Sequence, residues 1–269
     1  MENFFKTIYF DYKIFNAVSL SRWIQITISK YRCLALILIG IKPVILRIHN
    51  NKINVSTIGD LGTMISSLSD EYWDLYKVLN IEIKSIVDVG ANIGQFTNAV
   101  KYWYPNATIY SFEPDPDVFK VLLSNTILLK DVHTYNLALA ESSGVLKFYR
   151  SNFSGVSSLI RSSDNQVCIE VSADTADGVL GNLNNIDLLK IDVEGAELRV
   201  IRGARVILKK SKYLLVEMSF DRNVDGGSNL DVLSEVRRLC PDAEILHTGR
   251  ILSSGKKVAA QDFLIKLRP

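Results

Sequence analysis

Three short stretches hold the residues best equipped for chemistry: DVGANIG (88–94), Glu113-Pro114, and KIDVEGAE (190–197). In the first, a β-branched run, Ile86–Val89, enters a tight turn and a helix-like segment leaves it. Gly90 and Gly94 permit the unusual dihedrals and close backbone approach of such a turn, and Ala91 and Asn92 lie between them. A dinucleotide fingerprint reads GxGxxG and seats a pyrophosphate on the helix N-terminus. Here Asn92 stands where the middle glycine belongs, and acidic Asp88 sits two residues before Gly90. An anion there disfavours a diphosphate and suits a ligand with an ammonium group. S-adenosylmethionine has an ammonium and a sulfonium and no phosphate, so this turn points to it.

Glu113 lies nineteen residues beyond Gly94, at the end of the next strand-like run, with Pro114 after it. A carboxylate there can accept hydrogen bonds from both hydroxyls of a ribose. The same spacing suits NAD. A nucleotide-dependent oxidoreductase therefore stands as an alternative, as does a non-catalytic nucleoside-binding module on the same fold. Asn136 is either a ligand for an adenine edge or a strand-end turn residue, and Ala138 leaves room for the ring.

Methyl transfer is an in-line displacement in which alignment is the main task. A hydroxyl nucleophile also needs a proton acceptor. Asp192, Glu194 and Glu217 follow or end two strand-like runs and are the candidates. Asp192 reads as a base or substrate-orienting group, or else as a helix cap. Glu194 reads as a substrate contact, and Glu197 as a partner of the helix dipole. Lys190 sits in an apolar run and must pair with a carboxylate, or hold a substrate oxygen, to be buried. No metal requirement is read, although Asp192, Glu194 and Glu217 can in principle hold a divalent ion. His49, His133 and His247 lack metal-binding spacing.

The elements that must position these residues alternate. Strands are expected at Ile86–Val89, Thr108–Phe112, Val132–Ala140, Val145–Arg150, Val167–Val171, Asp187–Asp192 and Tyr213–Met218, and finally at Ala243–His247 and Asp262–Leu267. Helices are expected at Gly94–Tyr104, Pro116–Leu129, Ala196–Leu208 and Asp231–Leu239. Such alternation implies an α/β doubly wound, mostly parallel sheet with right-handed crossovers. The last two strands, with no helix between them, suggest an antiparallel pair on one edge. Ser154-Gly155-Val156-Ser157-Ser158 reads as a polar lid or a plain solvated turn. Before residue 80 the chain reads as a helix-rich extension, with a short strand and turn over 53–60 and a helix over Asp70–Leu79. The expected division is an N-terminal helical cap, 1–80, and a main domain, 81–269.

The stretches VDVGANIGQF (87–96), FEPDP (112–116), NLAL (136–139), GVSSL (155–159) and LKIDVEGAE (189–197) resemble those of the FkbM-type methyltransferases, over roughly residues 84–219. The resemblance implies a Rossmann-like seven-stranded methyltransferase sheet, with S-adenosylmethionine among the first three stretches. It also implies O-methylation of a hydroxyl on a sugar, glycan or other small molecule. A histidine common in that family soon after the glutamate of strand five is missing at Glu217-Met218-Ser219, so the general base stays unassigned. DVEG also replaces the NPPY-like tetrapeptide that many amino-group methylating enzymes carry after strand four, which favours an oxygen target.

Composition sets outer bounds. The 269 residues, 48% hydrophobic and 22% charged, suffice for one large core. A formal net charge of +2 gives no argument for nucleic acid. Three scattered cysteines favour a reducing, cytoplasmic setting. The charge is uneven: residues 1–50 carry seven Lys/Arg against Glu2 and Asp11, together with many aromatics. That stretch suits either an anionic membrane surface or a helical cap packed on the core. Its longest apolar run, Cys33–Ile41, is far short of the ~20 residues of a membrane span. The acceptor's identity and the oligomeric state have no sequence signal.

Overall fold

The computed structural model describes residues 20–48, 51–67, 79, 81–150, 159, 166–219, 229–254 and 257–268. The chain enters through helix α1 (Leu20–Leu38) and a two-stranded antiparallel hairpin, β1 (Val44–Ile48) and β2 (Asn51–Val55). Helix α2 (Ile58–Ser66) follows, its start fixed by a reciprocal cap between Thr57 and Asp60. Strand β2 overlaps the short strand and turn expected over 53–60, whereas β1 and a helix beginning at Ile58 depart from the expectation. The hairpin's alternation is clear in space: Val44, Leu46, Ile53 and Val55 are buried while Ile45 and Arg47 face out.

The main sheet has seven strands, ordered β11-β12-β10-β9-β3-β4-β5. They are β3 (Ser85–Val89), β4 (Thr108–Phe112), β5 (Val132–Tyr135), β9 (Ile186–Ile191), β10 (Ser211–Ser219), β11 (Glu244–Ser254) and β12 (Lys257–Lys266). Strands β5, β4, β3, β9 and β10 run parallel, and β12 is antiparallel to both β10 and β11. A second sheet, ordered β6-β8-β7, joins β6 (Ala138–Leu139), β7 (Gly144–Arg150) and β8 (Val167–Asp174).

Helices α3 (Gln95–Trp103), α4 (Pro116–Thr126), α6 (Glu197–Arg202), α7 (Arg205–Lys210) and α8 (Asn229–Leu239) connect the main strands. The short α5 (Ala176–Leu180) links β8 to β9. Along each strand alternate residues feed alternate cores. Ile86, Ile109, Leu188, Tyr213, Leu215 and Leu264 pack with Phe96 and Val100 of α3 and with Ile26, Cys33 and Leu46 of the N-terminal elements. Val87, Val89, Leu189, Ile191, Leu214 and Val216 face Leu198, Ile201, Ile207 and Val236 on the other side. This two-sided cover is why the central strands read as nearly continuous apolar runs.

Two expected elements are split. The strand expected over Val132–Ala140 breaks at Asn136, after which Ala138–Leu139 leaves the main sheet to pair with β8. The helix expected over Ala196–Leu208 breaks at Gly203, where any Cβ would overlap the carbonyl oxygen of Ala140. The second half restarts because the Asp177 carboxylate accepts the amides of Val206 and Ile207, at 2.9–3.0 Å. The helix expected over Asp70–Leu79 lies outside the described residues except for Leu79, and so does the lid stretch 154–158.

Candidate active site

The strand order reverses between β3 and β9, and in open α/β sheets ligands bind outside the carboxyl ends of the strands at such a switch point. The DVGANIG turn forms one wall. Gly90 adopts a left-handed backbone (φ 79°), and a Cβ there would overlap the Asp192 carbonyl oxygen. Asn92 is also left-handed (φ 49°), a conformation asparagine tolerates. Four of the turn's amides already have protein acceptors. Gly90 N and Ala91 N donate to Phe112 O (3.1 and 2.9 Å), Asn92 N to Glu113 Oε2 (3.0 Å) and Gly94 N to Ala91 O (2.8 Å). A diphosphate would have to do without these four donors.

Asp88 lies in β3, and Glu113 directly follows its parallel neighbour β4. Glu113 Oε1 accepts from Asp115 N (2.9 Å), so the carboxylate ties the two loops together. Glu113 is 6% exposed, and burial pushes its carboxyl up to about 7 against the opposing pull of the two amides. Pro114 is half-buried beside it. Asn136, a strand-end residue, turns its amide onto the carbonyls of Glu113 (3.0 Å) and Pro114 (2.9 Å), and so clasps the same loop. Ala138 is buried in β6.

Asp88 is wholly buried (0% exposed). The ammonium its carboxylate meets belongs to Lys190: Nζ lies 3.3 Å from Asp88 Oδ1 and 3.2 Å from Asp192 Oδ2, and donates to Gly90 O at 3.3 Å. This differs from the expectation that Asp88 faces a ligand's ammonium directly. Lys190 is 2% exposed; burial alone would lower its affinity for the proton, but Asp192 and Asp88 raise it above the ordinary value. It is a fixed cation rather than a base. Asp88 Oδ2 accepts from Thr97 Oγ1 (2.8 Å), which also contacts Ser111 Oγ (2.8 Å).

The second wall is the turn after β9. Asp192 N donates to Val89 O (3.0 Å), and Glu194 takes a left-handed backbone (φ 58°) before Gly195. Asp192, Glu194 and Glu217 each bring one carboxylate oxygen to within 4.8 Å of the others. Asp262 lies opposite Glu217 across the β10–β12 pairing. Glu197 faces inward and accepts from Gly195 N (2.9 Å), a structural role, and burial pushes its carboxyl up to about 7. Carboxylates therefore gather at the ends of β3, β4, β9 and β10. An acceptor-rich site of this kind suits a cationic, phosphate-free nucleoside such as S-adenosylmethionine.

Sequence reasoning overlooked three supports. Asp115 caps α4 and forms a two-pronged pair with Arg150 at the end of β7 (both 2.6 Å). The Asp-Pro step before α4 was a readable cap signal, but Arg150 as partner was not. Asn125 donates to Ile93 O (2.9 Å) in the glycine turn and to Asn54 O (3.2 Å) in the hairpin, and its Oδ1 accepts Asn54 N (2.6 Å). Thr97 and Ser111 carry no motif.

A family model described as the methyltransferase FkbM domain matches residues 88–240, from the glycine turn to the end of α8. This chain belongs to the FkbM methyltransferase family. Methyltransferase sdnD of Sordaria araneosa is 35% identical over 153 residues, 44% of the present FkbM-family chain and 59% of that protein. The 2-O-methyltransferase NoeI of Sinorhizobium fredii is 28% identical over 159 residues, 52% of this chain and 65% of that protein. The hexuronic acid methyltransferase AglP of Haloferax volcanii is 28% identical over 151 residues, 56% of this chain and 61% of that protein. The FkbM-family chain spans about three-fifths of the length of these relatives.

Proposed function

We propose that this chain is an S-adenosylmethionine-dependent O-methyltransferase acting on a hydroxyl of a sugar, glycan or other small molecule. The observation that carries the reading is the pair of turns at the switch point: Glu113 bracing the glycine turn on one side, and Asp192, Glu194 and Glu217 gathered on the other. When bound, S-adenosylmethionine supplies a methyl group made electrophilic by the sulfonium. In this reading Gly90, Ala91, Asn92 and Gly94 form its backbone wall. Glu113 accepts from the ribose hydroxyls, and Pro114, Asn136 and Ala138 flank the base. Asp88 acts at one remove, by holding Lys190 against Gly90.

Asp192 is the group placed to take up or orient the acceptor's hydroxyl proton, with Glu194 and Glu217 beside it. Lys190 is a positioning residue that fixes Asp192 at 3.2 Å. Two of the relatives are named for a 2-O-position and for a hexuronic acid, which supports an oxygen target on a sugar. The reading also treats residues 1–80 as an extension of the methyltransferase domain 81–269, working in the cytoplasm; the exposed Cys168 thiol fits a reducing setting.

Calorimetry with S-adenosylhomocysteine, followed by transfer of labelled methyl to a panel of uronic acids and other sugars, tests this. Heat with NADH and none with S-adenosylhomocysteine would overturn the assignment. On the acceptor found, Asp192→Asn should cut turnover by about a hundredfold or more while cofactor affinity changes much less. Equal losses in both would make Asp192 structural.

A further inference from the structure

Helix α1 presents an apolar stripe that nothing among the described residues covers. Leu20, Ile24, Ile28, Tyr31, Ala35 and Leu38 recur at steps of three and four and are all exposed, Ile28 by 65% and Leu38 by 68%. That spacing places them on one helical face about 27 Å long. The opposite face is the one that packs inward, through Ile26, Cys33 and the partly buried Leu34 and Ile37. Past the helix end Ile39 and Ile41 are exposed as well, as is Ile45 of the adjoining β1. The β1 strand is held there by Arg32 Nη2 and Cys33 Sγ, both donating to Ile45 O, and by Arg47 N donating to Ser29 Oγ.

The charge around the stripe decides the occupant. Residues 20–48 contain five basic side chains, Arg22, Lys30, Arg32, Lys42 and Arg47, and no Asp or Glu. Arg32, Lys42 and Arg47 are exposed. A second copy of this chain would bring the exposed Arg32, Lys42 and Arg47 against the same three cations. A membrane rich in anionic lipid would instead bring neutralising charge and an apolar layer for the stripe. No helix among the described residues is long and apolar enough to cross a membrane, so the geometry is that of a helix lying in the interface plane.

We propose that the Leu20–Ile41 face of α1 and its end seat this protein on an anionic lipid bilayer, parallel to the surface. The full-length chain should co-sediment with phosphatidylcholine vesicles containing phosphatidylglycerol, far less with phosphatidylcholine alone, and lose binding as salt rises. The paired change Ile28→Glu and Leu38→Glu should abolish sedimentation without altering the circular dichroism spectrum, because both side chains are exposed. Arg32→Gln and Lys42→Gln should each weaken partition to the anionic vesicles about fivefold. If the wild-type chain ignores vesicles of both compositions, the proposal falls. It also falls if the chain runs as a dimer that Ile28→Glu dissociates while lipid binding stays absent. The salt dependence of the unaltered chain keeps the test decisive should a variant misfold.

Discussion

Lys190 makes the sharpest test of how the crevice is held. Its ammonium is the neighbour that meets Asp88 Oδ1, an oxygen with no hydrogen-bond donor of its own, in a side chain 0% exposed. Lys190→Met keeps most of the volume but strands a buried carboxylate, a change that costs about 3–5 kcal/mol. Asp192 adds less, because its side chain is 20% exposed and water can replace the lysine. For a chain of this size the loss corresponds to a fall in Tm of roughly 6–20 °C. Urea unfolding followed by circular dichroism should show a lower midpoint with an unchanged slope. The double variant Asp88→Asn with Lys190→Met removes the stranded charge and should recover more than half of the loss, a coupling that a double-mutant cycle measures. A Lys190→Met chain less than about 1 kcal/mol weaker than the original would refute the claim that this cation is essential to the buried row. A double variant no better than the single would do the same.

Three further outcomes are expected. The Glu113 carboxyl, at about 7 in the folded chain and near 4.5 by default, keeps its proton while the unfolded chain has lost it. Its contribution is therefore full below pH 4.5 and is lost as pH rises to about 7, a decline of about 3 kcal/mol. Glu113→Gln should flatten that part of the stability–pH curve, with Glu197 supplying the remainder, and should weaken S-adenosylhomocysteine binding in calorimetry; an unchanged affinity would remove Glu113 from the site. Gly90→Ala forces both a left-handed alanine and a collision with the Asp192 carbonyl. It should cost about 1–3 kcal/mol in denaturation and at least tenfold in cofactor affinity, and intact binding would mean that the turn is not a ligand wall. Chelation with EDTA should leave turnover unchanged, because the Lys190 cation already stands 3.2 Å from Asp192; activity lost to EDTA and restored by magnesium would assign an ion to Asp192, Glu194 and Glu217.

The parts of this molecule legible in the sequence are those governed by local rules. Strand β4 has the bounds its β-branched and aromatic run predicts, Thr108–Phe112, and α4 starts at the Pro after a capping Asp. The breaks were hidden because each is imposed by a distant partner. Gly203 ends α6 against Ala140, and Asn136 bends the chain to reach the loop after β4. Of the N-terminal hairpin only the second strand was legible; β1 (Val44–Ile48) was hidden because it follows an apolar helix and blurs into one run. In the site, the residue types were readable but the pairings were not. Asp88 and Lys190 are 102 positions apart, and only the parallel register of β3 and β9 sets them side by side. The strand-end position of Glu113 was readable, but not that its oxygens would brace the glycine turn.

The Asn125 side chain has a consequence for anyone wishing to shorten this protein. One amide serves two masters: the Ile93 carbonyl in the ligand-facing turn and the backbone of Asn54 in the hairpin. Cutting the chain back to residue 81 would strip away two of those three bonds and uncover Phe96 and Val100 of α3 and Val118 and Val121 of α4, which pack in one cluster with Leu46 and Ile53. A catalytic fragment trimmed by family boundaries alone would thus start with a loosened turn, and its weak grip on nucleoside would be a product of the scissors.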